Sequence, residues 1–309
     1  MARASIIIAT RNRPHLLPQA VQSAAEAGAD VEIIVVDDAS SPEASAANKS
    51  LPSIRYIRLE RNQGLGGARN VGLLASSGEY ITFLDDDDIR LPQTLDEQIE
   101  MLEREPRAGL VYGQAIIRSA NARPAGEYPR ECHQGNVFWQ LLARNFIPCG
   151  SAVFRRSCLS RIGLLNDSIA GIEDWDLWIR IAEIYDVLVL PKPVLIWRKG
   201  EADSSQYTSR ADQMVSRCVK QFREWMKLPR VCDAGPQTRR VVLRRFSENM
   251  MAHLLYESSR AVRHGHALQA MKNLAVLPQL SPLTILSLAR FRLLRLERRP
   301  IENVATVAK

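Results

Sequence analysis

The chain has 309 residues, of which 46% are hydrophobic, enough for one large domain or for a medium domain with an extension. Its net charge of +7 suits an anionic partner such as a phosphate-rich substrate, a membrane surface or nucleic acid, but no basic-aromatic nucleic-acid motif is present. The sequence contains no run of about eighteen apolar residues, which argues against a transmembrane helix.

Cysteine usage and the N-terminal residues indicate a cytoplasmic protein. The five cysteines form no CxxC pair, and their odd number favours reduced thiols over a disulfide framework or a zinc site. The apolar stretch Ser5–Ala9 is too short for the core of a signal peptide and continues into polar Thr10.

Residues 4 to 118 alternate between strand and helix patterns. Short continuous apolar runs predict strands that are covered on both faces, and longer segments bounded by proline or glycine predict helices. The predicted strands are Ala4–Ala9, Glu32–Val36, Ile54–Leu59, Tyr80–Leu84 and Leu110–Ile117, and the predicted helices are His15–Ala27, Gly66–Ala75 and Thr94–Arg104. This alternation predicts an α/β fold with a mostly parallel sheet and helices on both faces.

The rest of the chain is less regular up to about residue 200 and helical beyond it. The predicted middle elements are helices at Gly135–Ala143 and Asp174–Ile184 and strands at Ser151–Phe154, Val187–Leu190 and Val194–Trp197. A long helix carrying an apolar stripe, stopping near Gly265, is predicted from Leu243, Phe246, Met250 and Leu254. A second helix, Ala267–Leu277, is expected to pack back on it, and a last arginine-rich helix is expected to start at Ser281-Pro282.

Polar clusters follow three of the predicted strands. Thr10-Arg11-Asn12 follows the first strand, Asp37-Asp38 the second, and the four aspartates Asp85–Asp88 follow Tyr80–Leu84. In a parallel sheet the carboxyl ends of the strands share one edge, where ligands bind. We therefore expect the three clusters to converge on one site.

Each acidic cluster has two interpretations. Four adjacent carboxylates repel one another, so Asp85–Asp88 is either a hard-metal site for Mg²⁺ or Mn²⁺ or a solvated acidic loop. Asp37-Asp38 is either a strand-ending turn or a carboxylate that accepts hydrogen bonds from a base or a ribose. Gly171–Asp176 is either a helix start that favours acids or the position of a general base, whose pKa apolar neighbours raise.

A glycine-rich turn, Asn62–Asn70, leads into a predicted helix. It is similar to a phosphate cradle, because free N–H groups at a helix start attract anions. It lacks the lysine pattern of a P-loop, so a flexible loop with small residues for packing is the alternative.

Together these motifs resemble a family 2 inverting glycosyltransferase of the GT-A fold, over about residues 4–200. The matching segments, in order, are Ser5–Pro14, Val35–Ser40, Asn62–Gly64 with Ala68–Asn70, Gly78–Asp88 and Glu173-Asp174. The resemblance implies an α/β, GT-A-like mixed, mostly parallel sheet flanked by helices. It also implies that residues 1–200 form a nucleotide-sugar-binding and catalytic domain and that 201–309 form a helical C-terminal extension.

The resemblance further implies a metal-dependent hexosyltransferase-type enzyme using Mn²⁺ or Mg²⁺. The donor would be a nucleoside-diphosphate sugar, UDP by default with dTDP and GDP open, and the acceptor a glycan or lipid-linked molecule in polysaccharide biosynthesis. It assigns donor binding to Thr10, Asn12, Asp37, Asp38, Arg69 and Asp86, metal binding to Asp85 and Asp87, and the role of catalytic base to Asp174. Many similar enzymes have a histidine in a late strand that the segment Trp197–Gly200 lacks, so Arg198 or Lys199 is a candidate contact for the diphosphate.

Other functions stay open at this stage. One is a sugar nucleotidyltransferase, although the loop after the first strand is poor in glycine, and another is a non-catalytic nucleotide-sugar-binding module. The C-terminal helices are expected to cover the acceptor side or to form a homodimer. The last helix either makes a peripheral contact with an anionic membrane or packs on the domain with its charged face in solvent.

Overall fold

The computed structural model describes residues 2–49, 51, 53–119, 124–199 and 210–280. The described residues form two compact units. The first lies within Met1–Val137 and Phe146–Ser205, and the second lies within Phe138–Asn145 and Gln206–Lys309.

The described residues include nine strands and eleven α-helices. The strands are β1 (Ala4–Thr10), β2 (Val31–Asp37), β3 (Arg55–Arg58), β4 (Tyr80–Asp85), β5 (Ile89–Arg90), β6 (Ala108–Ser119), β7 (Pro124–Tyr128), β8 (Ala152–Arg155) and β9 (Asp186–Lys199). The helices are α1 (Leu17–Ala25), α2 (Pro42–Lys49), α3 (Gly64–Ala75), α4 (Thr94–Arg104), α5 (Phe138–Ala143), α6 (Leu159–Ile162), α7 (Glu173–Ile184), α8 (Ala211–Trp225), α9 (Pro229–Cys232), α10 (Pro236–Arg263) and α11 (Ala267–Ala275).

The first unit is built on one mixed sheet with the strand order β3-β2-β1-β4-β8-β6-β9-β5, and β7 pairs with β6. Strands β1 to β4 are parallel where they pair, as are β6 and β9. Strand β8 runs antiparallel to both β4 and β6, and β5 runs antiparallel to β9. The expectation of a mixed, mostly parallel sheet flanked by helices is confirmed.

Helices bury both faces of the sheet, which explains the continuous apolar strands. On one face α1 and α4 pack through residues such as Leu17 and Ile99, and on the other α3 packs through Ala68. Helix α3 lies close to β1, since a Cβ on Gly72 would stand 2.3 Å from the Ile7 side chain. This close approach brings the second half of α3 against the middle of β1.

Several predicted elements differ from the observed ones. The two strands predicted at 187–190 and 194–197 form a single strand, β9, because register shifts against β6 between Gly113 and Ala115 accommodate Pro191 and Pro193. The helix predicted from Gly135 begins only at Phe138, since Gly135 instead bridges to β9. Helix α2 was not predicted.

The second unit is helical, and α10 and α11 form the predicted hairpin. The chain turns at Gly265, whose φ of 78° is easily reached only by glycine. Phe246, Met250 and Leu254 are buried as expected, but Leu243 is 41% exposed and does not extend the buried stripe. The helix predicted from Ser281 lies outside the described residues. Within the described part of the chain, none of the helices combines the length and the apolar character needed to cross a bilayer.

Candidate functional site

The three polar clusters meet at one edge of the sheet, as expected. Thr10 at the end of β1 is in register with Asp37 at the end of β2, and Ala9 is in register with Asp85 at the end of β4. Three adjacent parallel strands therefore deliver their terminal polar residues side by side.

The four aspartates form a tight turn, here called the acid loop (Asp85–Asp88), in which the Asp88 N–H donates to the Asp85 carbonyl at 3.0 Å. Asp86, Asp87 and Asp88 are buried, so the alternative of a solvated acidic loop does not describe this turn. Asp85, Asp87 and Asp88 each offer a carboxylate oxygen, and these oxygens lie within 4.8 Å of one another. Three clustered oxygen donors fit Mg²⁺ or Mn²⁺.

Asp88 had not been predicted as a ligand, and its environment supports the fit of a cation. Burial raises its pKa well above the ordinary range, and repulsion from Asp85 and Asp87 adds to that effect. The Arg198 backbone N–H, 3.0 Å from an Asp88 oxygen, opposes the shift without cancelling it. A divalent cation would relieve both the burial cost and the repulsion.

Asp86 faces the loop that follows β1. Its carboxylate accepts the Thr10 hydroxyl at 2.8 Å and pairs with Arg13 at 2.8 Å, while Arg13 also stands 3.5 Å from Asp87. Burial raises the pKa of Asp86, although Arg13 and Thr10 act against this. Arg13 was not predicted as a site residue. The sequence feature that could have indicated it is a cation in the loop after β1, which was expected to lie beside the acidic loop after β4.

Arg198 contacts the acid loop from β9. Besides its backbone N–H on Asp88, its guanidinium Nε donates to the Asp87 carbonyl and its Nη1 lies 2.8 Å from Gln19. The cation predicted near the diphosphate thus lies at the expected edge. The side chain of Lys199, the other candidate, is outside the described part of the structure.

Asp37 is an internal anchor. Its carboxylate accepts the Ser40 N–H and the Ser45 hydroxyl, both at 2.8 Å, the Asn48 amide at 3.5 Å, and the Tyr56 hydroxyl. Burial alone would raise its pKa, but these hydrogen bonds outweigh burial and lower it. The geometry agrees with the interpretation of Asp37 as a strand-ending turn.

Asp38 caps helix α3. Its two carboxylate oxygens accept the backbone N–H groups of Gln63, at 2.6 Å, and Gly64, at 3.0 Å. These two N–H groups of the glycine-rich turn therefore bind Asp38. A phosphate cradle formed by the other N–H groups at the start of α3 stays a prediction.

Asn12 ties the loops after β1 and β2 together. Its backbone, with a φ of 55°, directs the N–H to the Ser40 hydroxyl at 2.9 Å, and its side-chain oxygen accepts the Ser41 N–H at 2.7 Å. Asn12 therefore lies at the edge where it was expected, with its side-chain oxygen bonded to the neighbouring loop.

Arg69 joins the acid loop to the start of α7. It is buried, and its guanidinium lies 2.6 Å from Asp85, 3.1 Å from Glu173 and over the Phe83 ring. Burial would lower its pKa, but Cys149 and the acidic neighbours more than offset this and raise it. In the sequence Glu173 appeared only as part of a motif and had no predicted role. In the structure it forms an ion pair with Arg69 and holds that side chain in place.

Asp174 follows Glu173 in the first turn of α7 and is partly buried. One of its oxygens accepts the Trp175 N–H at 2.7 Å. Burial, reinforced by Glu173, raises the pKa of Asp174 to about 7 against the opposing effects of Arg69 and this N–H. Such a carboxylate can accept a proton near neutral pH. Asp176, by contrast, pairs with Arg180 at 2.8 Å within the same helix.

Comparison with known proteins agrees with this geometry. The family described as Glycosyl transferase family 2 matches residues 5–163, more than half of the chain. A Haemophilus influenzae protein described as an uncharacterized glycosyltransferase is 26% identical over 181 residues, covering 58% of this chain and 62% of that protein. The chain thus spans less than two thirds of that relative's length.

Two solved structures share the fold. The mannosyltransferase PcManGT from Pyrobaculum calidifontis, in complex with GDP-Man and Mn²⁺, has a TM-score of 0.55 at 19% identity and covers 93% of this chain and 86% of its own. S. aureus TarS 1-349, in complex with UDP-GlcNAc, has a TM-score of 0.52 at 14% identity, covering 88% of this chain and 89% of its own. The fold is GT-A-like, and the chain belongs to glycosyl transferase family 2.

Proposed function

We propose that the first unit transfers a sugar from a nucleoside-diphosphate donor to a glycan or lipid-linked acceptor, with inversion and with a divalent metal. One observation carries the proposal: Arg69 connects Asp85, in a cluster fit for a cation, with Glu173, the neighbour of a carboxylate poised near neutral pH. Donor chemistry and proton removal thus occupy one edge of the sheet.

The donor would lie over the ends of β1, β2 and β4. Thr10, Asn12 and Asp38 are proposed to contact the nucleotide base, with Asp86 at the ribose. The carboxylate oxygens of Asp38 each accept one backbone N–H and keep a second lone pair for a ligand. Asp37, whose oxygens are already hydrogen-bonded inside the fold, would hold this loop in shape.

Asp85, Asp87 and Asp88 would hold Mn²⁺ or Mg²⁺, which when bound neutralises charge on the departing diphosphate. Arg13 pairs with Asp86, whose carboxylate also accepts the Thr10 hydroxyl. Arg69, beside both acidic groups, is proposed to lie near the nucleotide.

Asp174 is proposed as the base. Its carboxylate would take the proton of the acceptor hydroxyl while that oxygen bonds to the anomeric carbon from the side opposite the diphosphate. The bond from the anomeric carbon to the diphosphate breaks in the same displacement, so the configuration inverts.

A binding screen followed by turnover tests the proposal. We expect UDP, dTDP or GDP to raise the melting temperature more with Mn²⁺ than without it, because a ligand that binds the folded state stabilises it. The matching sugar nucleotide should then yield transferred sugar and a nucleoside diphosphate. Pyrophosphate released from a nucleoside triphosphate would favour a nucleotidyltransferase, and binding without turnover a non-catalytic module.

Peripheral membrane contact and a homodimer are further proposals for the C-terminal residues. The described end of the second unit supports the former, since Leu268 and Met271 of α11 are exposed beside Lys272. Full-length protein should float with anionic vesicles, and protein truncated after Leu280 should float less; equal flotation contradicts a contact through the last helix.

A further inference from the structure

Arg90 is a buried cation to which the roles above give no part. Its side chain is almost inaccessible, and the ion pairs of the described residues include none with it. Its Nη1 donates to the Thr82 hydroxyl at 3.0 Å and to the Gly150 carbonyl at 2.8 Å, and its Nη2 donates to the Gln98 side chain. Its Nε meets no acceptor among the described atoms. An unpaired buried charge lowers the stability of the fold. Packing alone therefore does not explain an arginine at position 90.

The partners of Arg90 hold the two carbonyls that follow Gly150. Gln98 donates to the Ser151 carbonyl at 2.8 Å, and Thr82 donates to the Ala152 carbonyl at 2.7 Å. Three successive backbone carbonyls are thus fixed by a network that we call the carbonyl clamp (Arg90, Gln98 and Thr82).

The carbonyl clamp connects the two halves of the site. On one side, Arg90 follows the acid loop by two residues, in the short strand β5. On the other, the clamped carbonyls lead into β8, whose Phe154 ring packs against Trp178 of α7 at 5.8 Å between ring centroids, one turn after Asp174. The geometry points to Arg90 as a positioning residue that fixes the acid loop relative to the segment beside Asp174. This inference rests on the proposed function, in which the two halves act on one substrate pair.

Arg90→Met tests the inference because it keeps an unbranched apolar stem and removes the guanidinium donors. We expect hydrogen exchange at the Ser151 and Ala152 amides to rise about tenfold or more as this segment loosens. The turnover number should fall about tenfold or more. The affinity for Mn²⁺ with UDP or GDP should stay within about threefold, since Arg13 and Arg198 still hold the acid loop.

Arg155→Met is the matched control. The guanidinium of Arg155 also donates to backbone carbonyls, that of Ala108 at 3.0 Å and that of Leu102. Arg155, however, is in register with Tyr80, at the end of β4 far from the acid loop. It should lose comparable stability while turnover and exchange at Ser151 and Ala152 stay within about twofold of wild type.

Unchanged turnover and unchanged exchange in Arg90→Met would overturn the inference, as would equal losses in Arg155→Met. If Arg90→Met does not fold, Thr82→Val replaces it, because valine keeps the shape and removes the hydroxyl that serves both Arg90 and Ala152. Exchange at Ser151 and Ala152 unchanged in that variant also overturns the inference. A wild-type protein that transfers no sugar would contradict the proposed function. The hydrogen-exchange comparison would still test whether Arg90 fixes the segment Gly150–Ala152.

Discussion

The guanidinium of Arg69 lies 2.6 Å from the carboxylate of Asp85, the most exposed member of the acid loop. Its other terminal nitrogen pairs with Glu173, directly before the proposed base. One planar side chain thus holds two acidic groups that are 88 positions apart in sequence (173 minus 85). The proposed metal and base sides of the site therefore depend on a single cation.

Arg69→Lys tests whether the planar guanidinium bridge is needed or whether a positive charge at this position is enough. Lysine cannot present two parallel donors, so we expect a loss of about 2 kcal/mol in unfolding free energy and about tenfold or more in turnover. Denaturant unfolding and initial rates measure these. Arg3→Lys is the control, because Arg3 also bridges two acids, Asp96 and Glu103, but at the surface. Equal effects of the two variants would contradict a special role for Arg69.

Asp174→Asn should slow transfer strongly while donor binding survives. Removing a general base costs about 10²–10⁴-fold in turnover, whereas the cation ligands stay intact. Rates and nucleotide affinity in the presence of Mn²⁺ are the measurements. Asp176→Asn removes a carboxylate from the same turn, one paired with Arg180, and should keep turnover within about threefold. A fully active Asp174→Asn would show that the base lies elsewhere.

Transfer should depend on pH through Asp174. The carboxylate must be unprotonated to accept a proton, so activity should rise with pH through about 7 and level off above it. The pH dependence of kcat/KM for the donor, measured from pH 5 to 9, reports this rise for the free enzyme. The residual activity of Asp174→Asn should lack the rise; a wild-type profile flat across neutral pH contradicts the assignment.

Asp88→Asn should stabilise the metal-free protein. A folded pKa above the ordinary 3.8 means that the carboxyl favours folding only while protonated, and this contribution is lost as pH rises through its folded value. The variant should therefore melt roughly a few degrees higher at pH 8, with the difference vanishing near pH 4. Mn²⁺ should stabilise the variant less than wild type.

The exposed Asp233→Asn controls for the loss of one negative charge and should leave both measurements unchanged. A lower melting temperature for metal-free Asp88→Asn at pH 8 would mean that the hydrogen bond from Arg198 outweighs burial.

Arg13→Ala should increase the affinity for Mn²⁺ in the absence of nucleotide. Arg13 places its charge 2.8 Å from Asp86 and 3.5 Å from Asp87, where it repels an incoming cation. We expect about three- to tenfold tighter binding by calorimetry. Arg11→Ala, at an exposed position of the same loop, should change affinity less than about twofold. Weaker binding in Arg13→Ala would show that Arg13 organises the ligands more than it repels the ion.

The sequence predicted β1, β2 and β4 and their shared edge well, because strands buried on both faces are continuous apolar runs with abrupt polar ends, whereas the short strands β5 and β7 were not predicted. Helix α2 was not predicted because its segment, PEASAANK, has no large apolar side chains, only three alanines besides the proline, and these form no amphipathic pattern. Strand β9 was divided at Pro191 and Pro193, residues that normally end strands; register shifts against β6, which no local pattern reveals, carry the chain through them.

The site was predicted less completely, because burial and pairing depend on distant residues. Asp88 gains its environment from Arg198, 110 positions away, and Arg69 gains its fixed orientation from Glu173, 104 positions away. Asp37 and Asp38 look alike in sequence, yet one binds inward groups and the other caps α3. Such differences follow from tertiary contacts that a motif does not contain.

The register of β1 with its two neighbours limits how this protein can be altered. Thr10 and Asp37 end β1 and β2 in register with each other, and Asp85 ends β4 in register with Ala9, so one inserted residue in any of these strands would turn its terminal side chain to the opposite face. Length variation is tolerable only in the connections. Attempts to change the proposed donor or acceptor preference by exchanging segments should therefore cut after these positions and leave the strands whole.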